Sequence, residues 1–226
     1  MMLSRLLEVP TITARRGSQP PTQREAYHRA EPPGGVNAVD KRSRVVAVLA
    51  HCLLNQNTVV KPLASHEGAV TSLVEFLMKQ GYGLIQLPCP EALYLGMRRW
   101  WMSKEQYDTE SYREFSRRLL EPYVRLLAEL ARDGCRYAVI GVRGSPSCAI
   151  ETTTSNPFWL GEPRADKCPP SVKVSGRGVF MEELLRMAEE RGLPPPLAAL
   201  DIDHREVLER GLPEGLVKTL SRRSPA

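Results

Sequence analysis

Hydrophobic positions first become regular at Arg44. Residues 44–50, Arg-Val-Val-Ala-Val-Leu-Ala, form an aliphatic run without polar alternation. Such a run predicts a strand buried on both faces. A polar loop from His51 to Ser65 follows. Val70, Leu73, Val74, Leu77 and Met78 then recur at helical spacing, and Gly81 supplies the stop. Tyr82 to Leu87 predicts a second short strand, closed by Pro88. Ser103 suits the cap of a short turn, and Thr109 suits the N-cap of a long helix. The apolar stripe of that helix reads Tyr112, Phe115, Leu119, Tyr123, Leu126, Leu127 and Leu130, with Gly134 at its end. Arg136 to Val142 predicts a third strand. Val179 to Arg191 predicts a third helix with Leu184, Leu185 and Ala188 inward, and Leu197 to Ile202 a fourth strand. Residues 152–177 carry Pro157, Pro163, Pro169 and Pro170 and are expected to be loop.

The order β-α-β-α-β-α-β predicts one α/β domain, with a mostly parallel, Rossmann-like sheet and helices on both faces. Its expected span is residues 43–205. Residues 206–226 are expected to form a weak helix and a frayed end. Residues 1–42, with Pro20-Pro21, Pro32-Pro33 and Gly34-Gly35 and no sustained apolar period, read as a disordered tail.

Composition narrows the function classes. Of 226 residues, 42% are hydrophobic and 25% charged, and no apolar run approaches a membrane span. Residues 1–44 hold eight Lys or Arg against four acids, leaving 23 bases and 22 acids for the rest. The globular part is thus nearly neutral, and a nucleic-acid partner is not expected. The first residues faintly resemble a transit peptide, but Glu8, Glu25 and Glu31 oppose that reading, and a start assigned too far upstream fits equally well. Five cysteines without a secretory signal argue against a disulfide framework, so a cytoplasmic protein with reduced thiols is expected.

The cysteines carry the chemistry. Cys52 lies two residues past the first expected strand, Cys89 two past the second and Cys148 six past the third. Parallel strands end at a common edge, where ligand crevices open. Cys52, Cys89 and Cys148 are therefore expected to meet, although 37 and 59 residues separate them. Cys135 precedes the third strand and belongs at the opposite edge, as a structural residue. Cys168, in the proline-rich segment, is a candidate fourth ligand. Zinc usually takes nearby pairs such as Cys-x-x-Cys, and none is present. Thiolates also select iron–sulfur clusters, usually through four cysteines. Three would leave one iron open as a Lewis acid.

Three segments resemble a known family. His51-Cys-Leu-Leu-Asn-Gln-Asn57, Gln86-Leu-Pro-Cys-Pro-Glu91 and Gly141-Val-Arg-Gly-Ser-Pro-Ser-Cys148 are similar to the thiouracil desulfidases, and more closely to a "putative desulfidase" branch of that family. Gly176-Arg-Gly-Val-Phe-Met-Glu-Glu183 also resembles a segment of that branch. The resemblance spans about residues 44–192. It implies a [4Fe-4S] cluster held by Cys52, Cys89 and Cys148, and hydrolytic, non-redox removal of sulfur from a small thiocarbonyl compound such as a thiolated nucleobase. The chain departs from the wider family at Ala149, where glycine is common, and in His-Cys-Leu-Leu-Asn instead of Ala-Cys-Leu-Leu-Gly.

Other polar residues have two readings each. Glu91 suits a general acid or base, or a first-turn helix acid after Pro90. Ser145 and Ser147 could donate to cluster sulfur or substrate, or build a turn. His51 could shuttle protons or be a satisfied buried histidine. Asn55 and Asn57 could read a substrate edge or make Asx turns. His66 suits a helix start. Trp100-Trp101 could stack a base or pack in a core. Asp201, Asp203 and His204 share the expected edge and offer a weaker metal option. Against the desulfidase stand a non-catalytic cluster protein, for redox or sensing, and a metal-free thiol enzyme.

Overall fold

The computed structural model describes residues 39–159 and 171–221. The strands are β1 (Val45–Leu49), β2 (Gly83–Gln86), β3 (Arg136–Val142), β4 (Thr152–Ser155), β5 (Val172–Ser175) and β6 (Ala199–Ile202). The helices are α1 (His51–Leu54), α2 (Thr71–Lys79), α3 (Pro90–Leu95), α4 (Lys104–Tyr107), α5 (Glu110–Arg132), α6 (Val179–Glu190), α7 (His204–Arg210) and α8 (Glu214–Leu220). The compact unit that carries them begins at Arg42.

Four strands form a parallel sheet in the order β2-β1-β3-β6. The two central strands explain why the aliphatic runs fold this way. Ala47, Val48 and Leu49 of β1 are fully buried, as are Ala138, Val139 and Ile140 of β3. Successive strand residues point to opposite sides, so both faces of the sheet are covered. The chain steps from β1 to β2 in one direction and then crosses back to β3 and β6. Right-handed crossovers put α2 on one face and α5 and α6 on the other, and α5 packs along α6. The reversal of direction between β1 and β3 is a topological switch point, where a crevice opens beyond the strand ends.

The register aligns those ends. Leu49 pairs with Gln86 and with Ile140, and Ile140 with Leu200. Cys52 and Cys89 each follow three residues after an aligned position.

Three details differ from the sequence expectation. Residues 152–155 and 172–175 form an antiparallel ribbon where only loop was expected. The β-branched Thr152 to Thr154 supply one strand, and the prolines fall between the strands in sequence, which hid them. The residues of α5 that are fully buried are Tyr112, Ser116, Leu120, Val124 and Leu127, while Leu126 is exposed. The sheet and α6 cover this helix from two sides, so its inward arc is turned from the expected stripe. The C-terminal segment forms two short helices, α7 and α8, broken at Gly211 (φ 81°).

An ionic seam joins α5 to α6. Glu183 is fully buried and takes Arg113 at 2.9 Å, Arg117 at 3.7 Å and Arg186. Its first-turn neighbour Glu182 takes Arg113 at 2.8 Å and Lys104.

Candidate functional site

Each cysteine turn is built differently. Cys52 lies in α1, the single helical turn that leaves β1. Its carbonyl accepts from Nε2 of the buried Gln56 at 2.8 Å. Cys89 is the N-cap of α3, and its sulfur accepts the Ala92 N–H at 3.4 Å in the role usually taken by a side-chain oxygen. Pro90 follows at the first helical position, where its missing N–H costs nothing.

Cys148 is held from two sides. Ser145 Oγ accepts the Cys148 N–H at 2.9 Å and the Ser147 N–H at 3.3 Å. The start of α6 takes the carbonyls of the same loop. Val179 N–H donates to Pro146 at 3.0 Å, and Phe180 and Met181 donate to Ser147 at 3.0 and 3.2 Å. The free N–H groups that every helix start must satisfy thus fix the Cys148 loop. Beyond it, Asp201 accepts the amides of Ile150, Glu151 and Thr152 at 2.6, 2.8 and 2.9 Å.

Cys52, Cys89 and Cys148 line one cavity of about 420 Å³, a size typical of small-molecule sites. Val59, Leu63, Trp101 and Met102 supply apolar wall; Glu91, Arg99, Ser145 and His204 supply polar groups. Burial, then the charges of Cys89 and Glu91, pushes the Cys52 thiol up to about 12. Burial, then Cys52, Glu91 and Cys89, holds the Cys148 thiol well above its ordinary value. Burial also raises Cys89. As bare groups the three are neutral thiols, and Cys89 opposes ionisation of both Cys52 and Cys148. A cationic centre would reverse this, because metal binding deprotonates thiols. Three thiols on one cavity wall are the donor type that iron–sulfur clusters take.

Glu91 lies in the first turn of α3 and lines the cavity. Its Oε2 accepts from Arg99 Nε at 3.0 Å. Arg99 is a site residue that sequence reasoning missed. It is buried, donates to Thr58 O at 2.6 Å and approaches Cys89 Sγ at 3.9 Å. Against its own burial, Glu91 holds its guanidinium firmly charged. The Tyr107 hydroxyl is buried beside Glu91, Arg99 and Cys89.

The remaining candidates divide. Ser145 reaches the cavity, whereas Ser147 is fully buried and its hydroxyl pairs with Tyr112 at 2.9 Å. Trp101 lines the cavity and Trp100 does not. His51 donates through Nδ1 to the Leu87 carbonyl at 3.0 Å, and Asn55 caps the turn Gln56–Thr58. Cys135 lies at the opposite edge, its N–H bonded to Leu130 O at 2.8 Å. Asp201 holds backbone amides, Asp203 caps α7, and His204 and His66 both meet Ser65. Cys168 lies outside the described residues.

An α/β crevice lined by three cysteines defines the class, and comparison gives the family. Residues 44–161 match the family described as "Putative 2-thiouracil desulfurase", and the chain belongs to it. An uncharacterized protein of Methanocaldococcus jannaschii is 45% identical over 149 residues, covering 66% of this chain and 81% of that protein. No solved structure matches the chain. No helix among the described residues is long and apolar enough to cross a membrane.

Proposed function

We propose that this protein removes sulfur from a small thiocarbonyl compound, using a [4Fe-4S] cluster held by Cys52, Cys89 and Cys148. The observation that carries this reading is the single cavity shared by three cysteines and the buried Glu91–Arg99 pair. Held by Cys52, Cys89 and Cys148, the cluster would supply a Lewis acid suited to soft sulfur. The chain's own residues do the rest. Trp101, Met102 and Leu63 give a flat ring an apolar seat and exclude water. Glu91 takes a proton from the attacking water, and Arg99 fixes the carboxylate for that task. The Ser145 hydroxyl stabilises charge developing on the substrate, while Ser147 acts from behind, through Tyr112, by holding the turn. Water oxygen replaces sulfur on carbon, sulfur leaves as hydrogen sulfide, and no electron is transferred.

The test is anaerobic purification with iron and sulfide analysis, followed by incubation with thiouracils and thionucleosides. Brown protein that yields the oxo product and sulfide is expected. A colourless, iron-free protein with full activity would overturn the cluster. An intact cluster that leaves every thiocarbonyl compound unchanged would overturn the reaction.

A further inference from the structure

Away from the cysteine turns, a second polar chain leads to the same cavity. His204 opens α7, is 8% exposed and lines the cavity. Its Nδ1 lies 2.6 Å from Ser65 Oγ, and the same hydroxyl lies 3.0 Å from Nδ1 of His66. His66 is partly exposed to solvent. Gln56 ties this loop to the Cys52 turn: its Oε1 accepts the N–H groups of Ser65 and His66 at 3.1 and 3.4 Å, and its Nε2 donates to Cys52 O. His204 lies beyond the segment matched to the family.

A serine hydroxyl has one proton to give. Between two Nδ1 atoms it donates to one and accepts from the other. The two imidazoles must therefore hold complementary states. When His66 is an imidazolium, its Nδ1–H donates to Ser65, Ser65 donates to Nδ1 of His204, and His204 carries its proton on Nε2. Burial depresses the His204 pKa; Asp203 opposes this, and Arg205 and His66 add to it. His204 is therefore a neutral carrier near pH 7. Asp203 is occupied with Lys173 and the first amides of α7, and the other charged groups lining the cavity are Glu91, Arg99 and Arg143.

We propose that His66, Ser65 and His204 form a relay that delivers a proton from solvent to the sulfur leaving the substrate. The destination rests on the desulfidase reading above. As the carbon–sulfur bond breaks, Nε2 of His204 gives its proton to sulfur. Nδ1 of His204 takes the Ser65 proton, and Ser65 takes the Nδ1 proton of the His66 imidazolium. His66 is left neutral and recovers a proton from water. One proton moves and no oxidation state changes.

The test uses the full chain, purified anaerobically with ¹⁵N-labelled histidine. The ring nitrogens of His204 and His66 are followed by NMR as the pH is varied between roughly 5 and 8. The His204 signals are expected to read a bare, hydrogen-bonded Nδ1 and to shift together with those of His66. Ser65→Ala should abolish that coupling and flatten the pH profile of kcat for thiouracil with little change in KM, and Ser65→Thr should restore both. His204→Gln should lower kcat roughly tenfold or more while leaving visible absorption unchanged. Coupling and profile that survive Ser65→Ala would overturn the relay, whether or not thiouracil is consumed. Coupling without any desulfurisation would keep the relay and overturn sulfur as its destination.

Discussion

Arg99 meets Glu91 at 3.0 Å with the two side chains 3% and 12% exposed, next to the sulfur of Cys89. A charge pair so far from water is costly to break from one side, because the survivor stays buried and unpaired. Arg99→Ala should therefore destabilise the fold by about 3–5 kcal/mol in denaturant unfolding. Arg99→Lys keeps the charge but cannot reach Glu91, Thr58 and Gly96 together. It should recover part of the stability and little of the activity.

Glu91→Gln separates structure from chemistry. The amide keeps the shape and one acceptor for Arg99 but not the charge, so some stability should be lost while the fold and the iron content persist. Turnover should fall by roughly a hundredfold or more, the usual worth of a positioned general base. A native rate in this variant would remove Glu91 from its proposed role.

The thiols make a pH prediction for the metal-free chain. Cys52 ionises near 12 in the fold, against about 8.5 for an unperturbed thiol. Between those values the folded state holds a proton that the unfolded state has lost, so stability falls as pH rises. Below about pH 8 the contribution is fully present. Chemical denaturation of metal-free protein from about pH 8 upward should show a falling midpoint, and Cys52→Ala should flatten part of the slope.

Gly178 is a packing requirement of the site. A Cβ there would lie 2.4 Å from the carbonyl carbon of Ser147 and 2.8 Å from the Cys148 N. Both are backbone atoms and cannot swing aside. Gly178→Ala should push the Cys148 loop away from α6, lowering the melting temperature and the iron bound per chain.

The sheet was legible because aliphatic runs such as Val45–Leu49, short and rich in β-branched residues, read as buried strands, and parallel strands share an edge. That was enough to predict that Cys52, Cys89 and Cys148 would gather. Arg99 was not legible. It follows another arginine in a stretch with no period, and its burial depends on Glu91 and Thr58 from other turns. The direction of Ser147 was equally hidden, since Ser145-Pro-Ser147 reads the same whether a hydroxyl faces the cavity or Tyr112. The His66–Ser65–His204 chain joins residues 139 apart in sequence, a proximity set only by tertiary packing.

Asp201 shows how the same edge positions Cys148 from behind. From the sequence it was a weak metal candidate, but both carboxylate oxygens are spent on the amides of residues 150–152. Those amides lie two to four residues beyond Cys148, where the chain enters β4. An asparagine offers one oxygen and an NH₂ group in place of two oxygens. Whichever way it turns, at least one backbone N–H faces a donor and stays buried without a partner. Each such loss to a charged acceptor is worth about 1.5–3 kcal/mol. Asp201→Asn should therefore cost about 2–4 kcal/mol in urea unfolding, and the loosened loop should bind less iron after anaerobic reconstitution. Glu206→Gln, which alters a half-exposed acid of α7 paired with Arg210, serves as the comparison and should change neither quantity. Equal stability and equal iron in Asp201→Asn would mean that the Cys148 loop is held by Ser145 and the start of α6 alone.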